Sequence, residues 1–576
     1  MPSSTQLLAD LYQLVLDEQA AGHHKLLEIW EQPLSQKLLK GTSQGFRFLE
    51  RGPDPTTIWA LPDDSESRFR EGDLICLHQG NALEPLCRGL AFETEEDDRW
   101  LLRGHRALAA LEDYVGGAAY ADPDAMDLTG FFRQTLDDIR TGSAGEASLL
   151  PLLTGELELE FDETDMEEGS RIALSEGCNA RQADAVGWAH GARQIASIQG
   201  PPGTGKTRVL GLIARLAVER GERVLMSSHT HMAINNALNK IHAQGVPAVK
   251  VGRAVQRKGL DDAIRNFESL DGWEERPTNG YVVGATPFAT CTSRLEHYSF
   301  DTVIFDEASQ ITLPLALMAM RKGKRFIFIG DQRQLPPVLL SRSVLDKESH
   351  SVFARLTSRD ADHLVMLDET YRMNRWLTDW PSRTFYNGKL RSGGRNRERQ
   401  LTTAGGPGKY SGVLDGRHPA VFIPTPESSA RTRNGREAEL VVALCDALVA
   451  GGLALAEIGI VSPYRAQGRT IRSLLVTRFG REAARQVIAD TVERMQGQER
   501  EVIILSLATS DPMFLAAIAE FFFQPERLNV SVTRAKTKLI VIGPDADVLP
   551  ELADAPIRQW VNWYREMMAH CQRVVP

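Results

Sequence analysis

Cysteine is scarce in this chain of 576 residues, and its six cysteines form no pattern. They are Cys76, Cys87, Cys178, Cys291, Cys445 and Cys571. The chain has no CxxC pair, and no histidine stands at metal-ligand spacing from a cysteine. We therefore interpret the cysteines as reduced, buried thiols of a cytoplasmic protein.

Long apolar runs are also missing. No run reaches the roughly 18 residues that span a bilayer, and residues 1–10 do not combine a basic segment with an apolar block, the pattern of a signal peptide. These absences exclude a membrane-spanning class and predict a cytoplasmic location with no membrane partner.

Positive charge is in deficit too, since the formal net charge is −10. The deficit lies in residues 1–169, where 34 acidic and 13 basic side chains give −21. The remaining 42 acidic and 53 basic side chains give +11. We interpret the first third as a largely solvated acidic face, and only the rest of the chain can offer polyphosphate a favourable field.

The chain is too long for one core and predicts three or four domains. Residues 4–40 have helical apolar spacing. Residues 42–104 read as the short strands of a small β-barrel or sandwich, and 105–150 return to helix. The acidic stretch 156–168 is interpreted as a linker or surface loop.

From about residue 170 onward, apolar strands alternate with helices. The predicted strands are Ile195–Ile198, Val224–Met226, Val282–Val283, Val303–Phe305 and Phe326–Ile329, followed by Ala420–Ile423, Ile458–Val461, Val502–Leu507 and Leu539–Ile542. Continuous apolar strands with helices between them indicate two parallel sheets covered on both faces.

A phosphate-binding loop follows the first of these strands. Its residues are Gly200, Pro201, Pro202, Gly203, Thr204, Gly205, Lys206 and Thr207, which fit GxxxxGK[ST]. Glycines let backbone amides wrap phosphates at a helix N-terminus, Lys206 neutralises β/γ charge, and the Thr207 hydroxyl can ligate Mg²⁺. The motif predicts ATP and Mg²⁺ as cofactors.

Two adjacent carboxylates end the strand at 303–305. Asp306 can hold the Mg²⁺ shell, and Glu307 can orient or deprotonate the attacking water. Arg372 and Arg534 lie in the second α/β half, where each can place a cation on the developing charge of the γ-phosphate. Hydrolysis would then depend on closure between domains, as a motor requires.

These blocks, in this order, resemble superfamily 1 helicases, specifically the up-frameshift-like branch of subfamily 1B, over about residues 170–545. The resemblance implies an α/β fold with two tandem RecA-like P-loop domains, an N-terminal small β-barrel and stalk helices. It implies adenine recognition by Gln182, γ-phosphate sensing by Gln334, adenine stacking by Tyr371 and a finger role for Arg372. The stretch Gln496-Gly497-Gln498-Glu499 resembles motif V of this family, which implies that Gly497 and Glu499 belong to the nucleotide site.

Strand-contacting residues follow from the same resemblance. They are Thr230, Thr286, Ser462 and Thr491, whose short hydroxyls suit phosphate contacts that fix position without reading sequence. The basic stretch 383–399 has two interpretations, a phosphate contact or a solvated loop.

The residue patterns and the resemblance together give the predicted domain limits. They are 1–41 for the helical stalk, 42–104 for the barrel, 105–169 for a helical segment and acidic linker, 170–345 for the first RecA-like domain with a small insertion at 241–280, and 346–576 for the second.

The expected function is an ATP-dependent helicase or translocase on single-stranded DNA or RNA, with duplex junctions as further partners, and the resemblance implies 5′→3′ movement. An ATP-gated clamp or scaffold that does not unwind is the alternative, because it would share every ATP residue. A small-molecule P-loop kinase would not need a second sheet that carries two arginines.

Overall fold

A computed structural model describes residues 3–63, 69, 72–96, 99–142, 148–341, 350–359, 363–402, 408–425 and 429–575. It begins with helices α1 (Ser4–Trp30) and α2 (Leu34–Lys40). Leu7, Leu11 and Leu14 recur at helical spacing and are buried, and the hydroxyl of Ser3 caps α1. The predicted helical segment 4–40 is confirmed, with a break before α2.

Six antiparallel strands then close a barrel in the order β1-β2-β5-β4-β3-β6. They are β1 (Gln44–Arg51), β2 (Thr57–Pro62), β3 (Leu74–His78), β4 (Pro85–Glu96), β5 (Arg99–Arg103) and β6 (Ala119–Pro123). The predicted end of the barrel at residue 104 is wrong, because β6 lies beyond it. This alanine-rich strand carries little strand signal, yet it closes the barrel by pairing with both β1 and β3.

A buried charged cluster joins the stalk to the barrel. Lys37 of α2 forms an ion pair with one oxygen of Asp122 in β6, and His78 Nε2 in β3 lies 3.2 Å from the other oxygen. Burial alone would raise the pKa of Asp122, but the contacts with His78 and Lys37 hold that pKa below its usual range. The cluster therefore fixes α2 against the barrel wall.

Four helices lead into the first α/β domain. They are α3 (Thr129–Thr141), α4 (Leu149–Thr154), α5 (Glu163–Ser175) and α6 (Ala180–Gly191). Leu11 of α1 and Leu136 of α3 belong to the same apolar cluster as Phe305 of the first sheet, so the stalk packs directly on that domain. The linker predicted at 156–168 is wrong in its second half, because the Asp162 side chain caps α5.

The described strands of the first domain form an eight-stranded parallel sheet in the order β10-β9-β11-β8-β12-β13-β7-β14. They are β7 (Ile195–Gln199), β8 (Arg223–Ser227), β9 (Ala248–Val251), β10 (Asn266–Phe267), β11 (Tyr281–Gly284), β12 (Thr302–Phe305), β13 (Arg325–Gly330) and β14 (Leu364–Met366). The helices here are α7 (Lys206–Glu219), α8 (His231–His242), α9 (Leu313–Met320) and α10 (Val352–Arg359).

Two predicted limits of this domain need correction. Residues 241–280 are not a separate insertion, because they supply β9 and β10 at the sheet edge. The limit at 345 is too early, because β14 pairs with β7. These strands have only two to four residues, too few for a sequence pattern.

The second domain has a parallel sheet of six described strands, in the order β19-β18-β20-β21-β17-β22. Its strands are β17 (Ala420–Pro424), β18 (Ile458–Ser462), β19 (Ile488–Thr491), β20 (Arg500–Ser506), β21 (Ala535–Gly543) and β22 (Gln572–Arg573). A small pair, β15 (Glu369–Thr370) and β16 (Arg391–Ser392), lies between the two sheets in sequence. The helices are α11 (Arg375–Phe385), α12 (Ser411–Leu414), α13 (Gly435–Ala450), α14 (Arg465–Phe479), α15 (Arg481–Ala484), α16 (Val492–Met495), α17 (Pro512–Ala517), α18 (Ala519–Phe522), α19 (Pro525–Val532) and α20 (Ala555–His570).

Both sheets are covered on both faces. Val303 and Phe305 of β12 pack into one apolar cluster and Ile304 into another, as the two-residue period of a strand requires. The predicted class, two tandem RecA-like P-loop domains with an N-terminal barrel and stalk helices, is confirmed. Within the described residues, the helices lack the length and apolarity that crossing a membrane requires.

Candidate nucleotide and nucleic-acid site

The loop 200–205 joins the carboxyl end of β7 to the first residue of α7. Gly203 and Gly205 adopt φ values of 75° and 85°, which side chains disfavour. A Cβ on Gly200 would lie 2.0 Å from Lys206 Cγ, so this position requires glycine as well. The N-cap of α7 is Gly205, so no side chain caps the N-terminus of this helix. Lys206 Nζ donates to the Gly200 carbonyl at 2.6 Å, and Thr207 follows in the first turn.

Asp306 and Glu307 follow β12 beside this loop. Asp306 is buried, and its Oδ1 accepts the Glu307 amide at 3.0 Å. Burial and the neighbouring Glu307 charge raise the pKa of Asp306 to about 7, against the opposing charge of Lys206. Glu307 adopts a φ of 52°, a strained backbone for a residue with a side chain and a feature that clusters at functional sites. The two carboxylates and Lys206 thus lie close together, as predicted.

The predicted adenine-recognition residues lie on the other side of the loop. Gln182 is buried, and its Nε2 donates to the Thr204 carbonyl at 3.0 Å, which fixes the loop. The Tyr371 hydroxyl accepts from Asn179 Nδ2 at 2.8 Å and donates to Glu369 at 3.0 Å. Tyr371 is 38% exposed, so part of its side chain remains accessible.

The segment 370–372 packs directly against the phosphate-binding loop. Thr370 Oγ1 donates to the Pro202 carbonyl and the Tyr371 amide to the Gly203 carbonyl, both at 2.8 Å. A Cβ on Gly203 would lie 2.4 Å from Arg372 Cβ. The segment 370–372 therefore contacts the phosphate-binding loop directly, although Thr370 and Pro202 are 168 positions apart in the sequence.

Arg372 bridges from this contact to the second domain. Its Nε donates to Glu499 Oε2 at 2.7 Å, and its Nη1 donates to the Thr533 carbonyl at 3.0 Å. Lys536 Nζ lies 3.4 Å from the other oxygen of Glu499. Burial would raise the pKa of Glu499, but these cations, Arg372 first, hold it below its usual range. Glu499, predicted at the nucleotide site, is bound to Arg372.

Arg534 is buried at the end of α19. Its Nε donates to the Val530 carbonyl at 2.9 Å and its Nη1 to the Gln498 carbonyl at 3.4 Å. Burial, and then the nearby Arg372 charge, lower the pKa of Arg534 to about 9, while Glu307 of the first domain opposes the shift. The charges of Arg372 and of Glu307 in the first domain therefore both act on Arg534.

Gln334 and Gly497 complete the predicted nucleotide set. Gln334 is buried at the end of β13, where its Nε2 donates to Asp331 Oδ2 at 2.9 Å. Gly497, with a φ of 76°, lies in the turn that precedes β20. Within the described part of the chain, no group of three His, Cys, Asp or Glu side chains could hold a metal ion by itself.

The four predicted strand contacts lie at the carboxyl ends of strands, where open α/β sheets bind ligands. Thr230 follows β8 and is exposed, and its hydroxyl caps α8. Thr286 follows β11 and is half-buried, whereas Ser462 and Thr491 end β18 and β19 and are buried. In the second sheet, Ser462 and Thr491 lie at the carboxyl ends of their strands. Glu499 and Arg534 lie at the opposite edge of that sheet, because they precede the first residues of β20 and β21.

The stretch 383–399 contains arginines that already have carboxylate partners. Arg383 pairs with Asp379 at 2.8 Å, and Arg399 pairs with Glu501 at 2.7 Å. Arg391 and Arg397 pair with Asp368 and Glu398. These pairs favour the interpretation as a solvated surface over the phosphate contact.

Sequence reasoning missed three residues around the site. Glu369 binds both Asn179 and Tyr371, and Asp331 binds Gln334. Tyr386 donates to Asp331 at 2.8 Å. Asp331 stands three residues before Gln334 and could have been found, whereas Glu369 and Tyr386 carry no local signal.

Comparisons with known proteins agree with this architecture. Two family models, each described as an AAA domain, match residues 177–398 and 348–546. The human DNA replication ATP-dependent helicase/nuclease DNA2 is 30% identical over 413 residues, which cover 66% of this chain and 38% of that protein. The DNA polymerase alpha-associated DNA helicase A of Schizosaccharomyces pombe is 28% identical over 454 residues, covering 67% of this chain and 66% of that protein.

The chain thus spans under two fifths of the length of the DNA2 relative. A solved structure of arterivirus nonstructural protein 10 (helicase) covers 90% of this chain and 83% of its own at 13% identity and a TM-score of 0.35, too low to bear on fold or function. The ordered motifs, the paired AAA-domain matches and the helicase relatives are consistent with a helicase of superfamily 1B, in the up-frameshift-like branch.

Proposed function

We propose that this protein hydrolyses ATP in the cleft between its two RecA-like domains and uses the energy to move 5′→3′ along single-stranded DNA or RNA, displacing paired strands. The contact between the phosphate-binding loop and the segment 370–372 carries the proposal. Arg372, whose backbone lies on that loop, is ion-paired with Glu499 of the second domain. A change at the loop is thereby transmitted to the position of the second domain.

The residues fit ATP and Mg²⁺. The N-terminus of α7 has no side-chain cap, and Lys206 rests on a backbone carbonyl, so both are free to meet phosphate. Burial and the neighbouring Glu307 charge raise the pKa of the Asp306 carboxyl, and a divalent ion bound there would favour its ionised form. Thr207 and Asp306 would hold Mg²⁺, which supplies neutralisation of the β/γ-phosphate charge.

The chain's own groups then divide the chemistry. Glu307 orients the attacking water and accepts its proton, while Lys206, Arg372 and Arg534 stabilise charge that develops on the transferred phosphoryl group. Gln334 reads the terminal phosphate.

Residues beside the phosphate-binding loop recognise the adenine of ATP. Gln182 and Tyr371 hold the adenine, and the turn containing Gly497 and Glu499 borders the nucleotide from the second domain. Because Arg372 already binds Glu499, its shift towards the phosphate must loosen or carry the second domain with it.

Movement along the strand follows from opening and closing of the cleft. Thr230 and Thr286 grip backbone phosphates on the first domain, and Ser462 and Thr491 grip them on the second. If the two pairs change their separation in each ATP cycle, alternating grip moves the strand in one direction. The 5′→3′ sense rests on the resemblance to subfamily 1B.

Strand displacement with tailed duplexes tests this function. With ATP and Mg²⁺, the protein is expected to unwind duplexes that carry a 5′ single-stranded tail and to leave 3′-tailed and blunt duplexes intact. Matched DNA and RNA tails, assayed in parallel, identify the preferred strand. Displacement from 3′ tails alone would contradict the polarity, whereas ATP-dependent retention on the strand without displacement or movement would identify the ATP-gated clamp instead.

A further inference from the structure

Tyr386 lies at the end of α11, inside the apolar core of the second domain, yet its hydroxyl reaches the first domain. It is 2% exposed and packs in the same cluster as Trp380 and Phe385. The hydroxyl donates to Asp331 Oδ2 at 2.8 Å and accepts from Asn529 Nδ2 at 2.8 Å. One oxygen atom therefore joins a residue at the carboxyl end of β13 to a residue of α19.

The hydroxyl acts as a neutral hydrogen-bond donor. Burial, and then the charge of Asp331, raise the pKa of Tyr386 well above 10. Its single proton points to Asp331, because Asn529 offers an amide donor from the other side. The direction of both hydrogen bonds is therefore fixed.

On the first-domain side, the Asp331 carboxylate accepts hydrogen bonds from three side chains. Gln334 donates at 2.9 Å and Gln199, at the end of β7, donates at 3.2 Å, in addition to Tyr386. The γ-phosphate sensor and the strand that leads into the phosphate-binding loop thus share one carboxylate with Tyr386.

On the second-domain side, Asn529 lies in the last turn of α19, which leads to Thr533 and Arg534. The Thr533 hydroxyl donates to the Asn529 carbonyl at 2.6 Å, and the Thr533 carbonyl accepts from Arg372 at 3.0 Å. Arg534 donates to the Val530 carbonyl, one residue beyond Asn529. The position of Asn529 therefore sets the position of both predicted arginine groups.

We propose that Tyr386 is a positioning residue that couples Gln334 to Arg372 and Arg534 across the domain cleft. This inference rests on the proposed function. Of the two bonds to the hydroxyl, only the short, buried bond to Asp331 crosses between the domains, so the chain of hydrogen bonds depends on their separation. Tyr386 therefore holds Asn529, and with it the turn that leads to Arg534, in a fixed position relative to Gln334, and its contribution falls on kcat and not on ATP binding.

Tyr386→Phe tests the relay, with Tyr564→Phe as its matched control. Tyr564 is also 2% exposed, and its hydroxyl donates to the Pro544 carbonyl at 3.1 Å, entirely within the second domain. We expect Tyr386→Phe to lower kcat of strand-stimulated ATP hydrolysis roughly tenfold, the effect of one lost hydrogen bond to a charged group. KM for ATP should change by less than about twofold, and Tyr564→Phe should leave both parameters within that margin.

Thermal unfolding separates coupling from stability, since each variant loses one buried hydroxyl. Equal unfolding midpoints with unequal kcat values support the relay. Equal kcat values for the two variants would overturn it, and so would a rise in KM without a fall in kcat.

A second variant, Asn529→Ala, removes the partner on the other side. If the relay is continuous, the double variant should be no slower than the slower single variant, within about twofold. If the fold-losses in kcat of the two single variants multiply in the double variant, the two residues act independently, and that result would overturn the relay. Wild-type protein without strand-stimulated hydrolysis would instead count against the proposed function itself.

Discussion

Lys206→Ala is expected to abolish strand-stimulated ATP hydrolysis, with kcat lowered by about 10³-fold or more. Lys206 carries a cation at the loop that wraps the phosphates, and no other lysine lies in that loop. Its ammonium group donates to a backbone carbonyl, and its charge favours the ionised form of Asp306, so the variant loses one hydrogen bond and should have a higher pKa at Asp306. Phosphate release, measured with and without a single strand, checks the prediction.

Lys240→Ala is the matched control for this experiment. Lys240 is an exposed lysine on α8 of the same domain, and its removal should leave hydrolysis at the wild-type rate. The assignment of the phosphate-binding loop fails if Lys206→Ala retains near-wild-type activity while its unfolding midpoint is unchanged.

Arg372→Ala is expected to lower kcat by about 10³-fold, the scale of a lost arginine finger, with little change in KM for ATP. Glu499 keeps Lys536 at 3.4 Å after the substitution, so the fold does not acquire a lone buried charge. Steady-state hydrolysis together with equilibrium binding of an ATP analogue separates the loss of catalysis from a loss of affinity.

Arg375→Ala, three residues along the chain, serves as the comparison. Its half-exposed guanidinium pairs with Glu398 at 3.2 Å and lies over the ring of Trp376, away from the loop. This variant should hydrolyse ATP normally. Near-normal turnover by Arg372→Ala, alongside an inactive Lys206→Ala, would mean that the first domain hydrolyses ATP without help from the second.

The two sheets were predictable because both of their faces are buried. A strand such as β12 then reads as an unbroken apolar run, bounded by polar residues at each end. The missed strands are short or rich in small residues, as β6 and β14 are, and only their neighbours determine that they pair. Helix α5 was missed because its acidic first turn resembles a solvated loop.

The nucleotide site was predictable where chemistry requires contiguous residues. The loop before α7 and the carboxylates after β12 have fixed spacing, because phosphate and Mg²⁺ demand it. The pairing of Arg372 with Glu499 joins residues 127 positions apart. Such a contact depends on how the domains pack, which no local pattern encodes. Tyr386 illustrates this limit most clearly, since its sequence context is that of an ordinary core tyrosine.

A crystal structure with a non-hydrolysable ATP analogue, Mg²⁺ and a single-stranded oligonucleotide tests most directly whether hydrolysis is shared between the domains. We predict that Lys206 from the first lobe and Arg372 and Arg534 from the second side of the cleft all contact the same γ-phosphate. A γ-phosphate touched only by first-domain groups, with both arginines still on Glu499 and the α19 carbonyls, would contradict it.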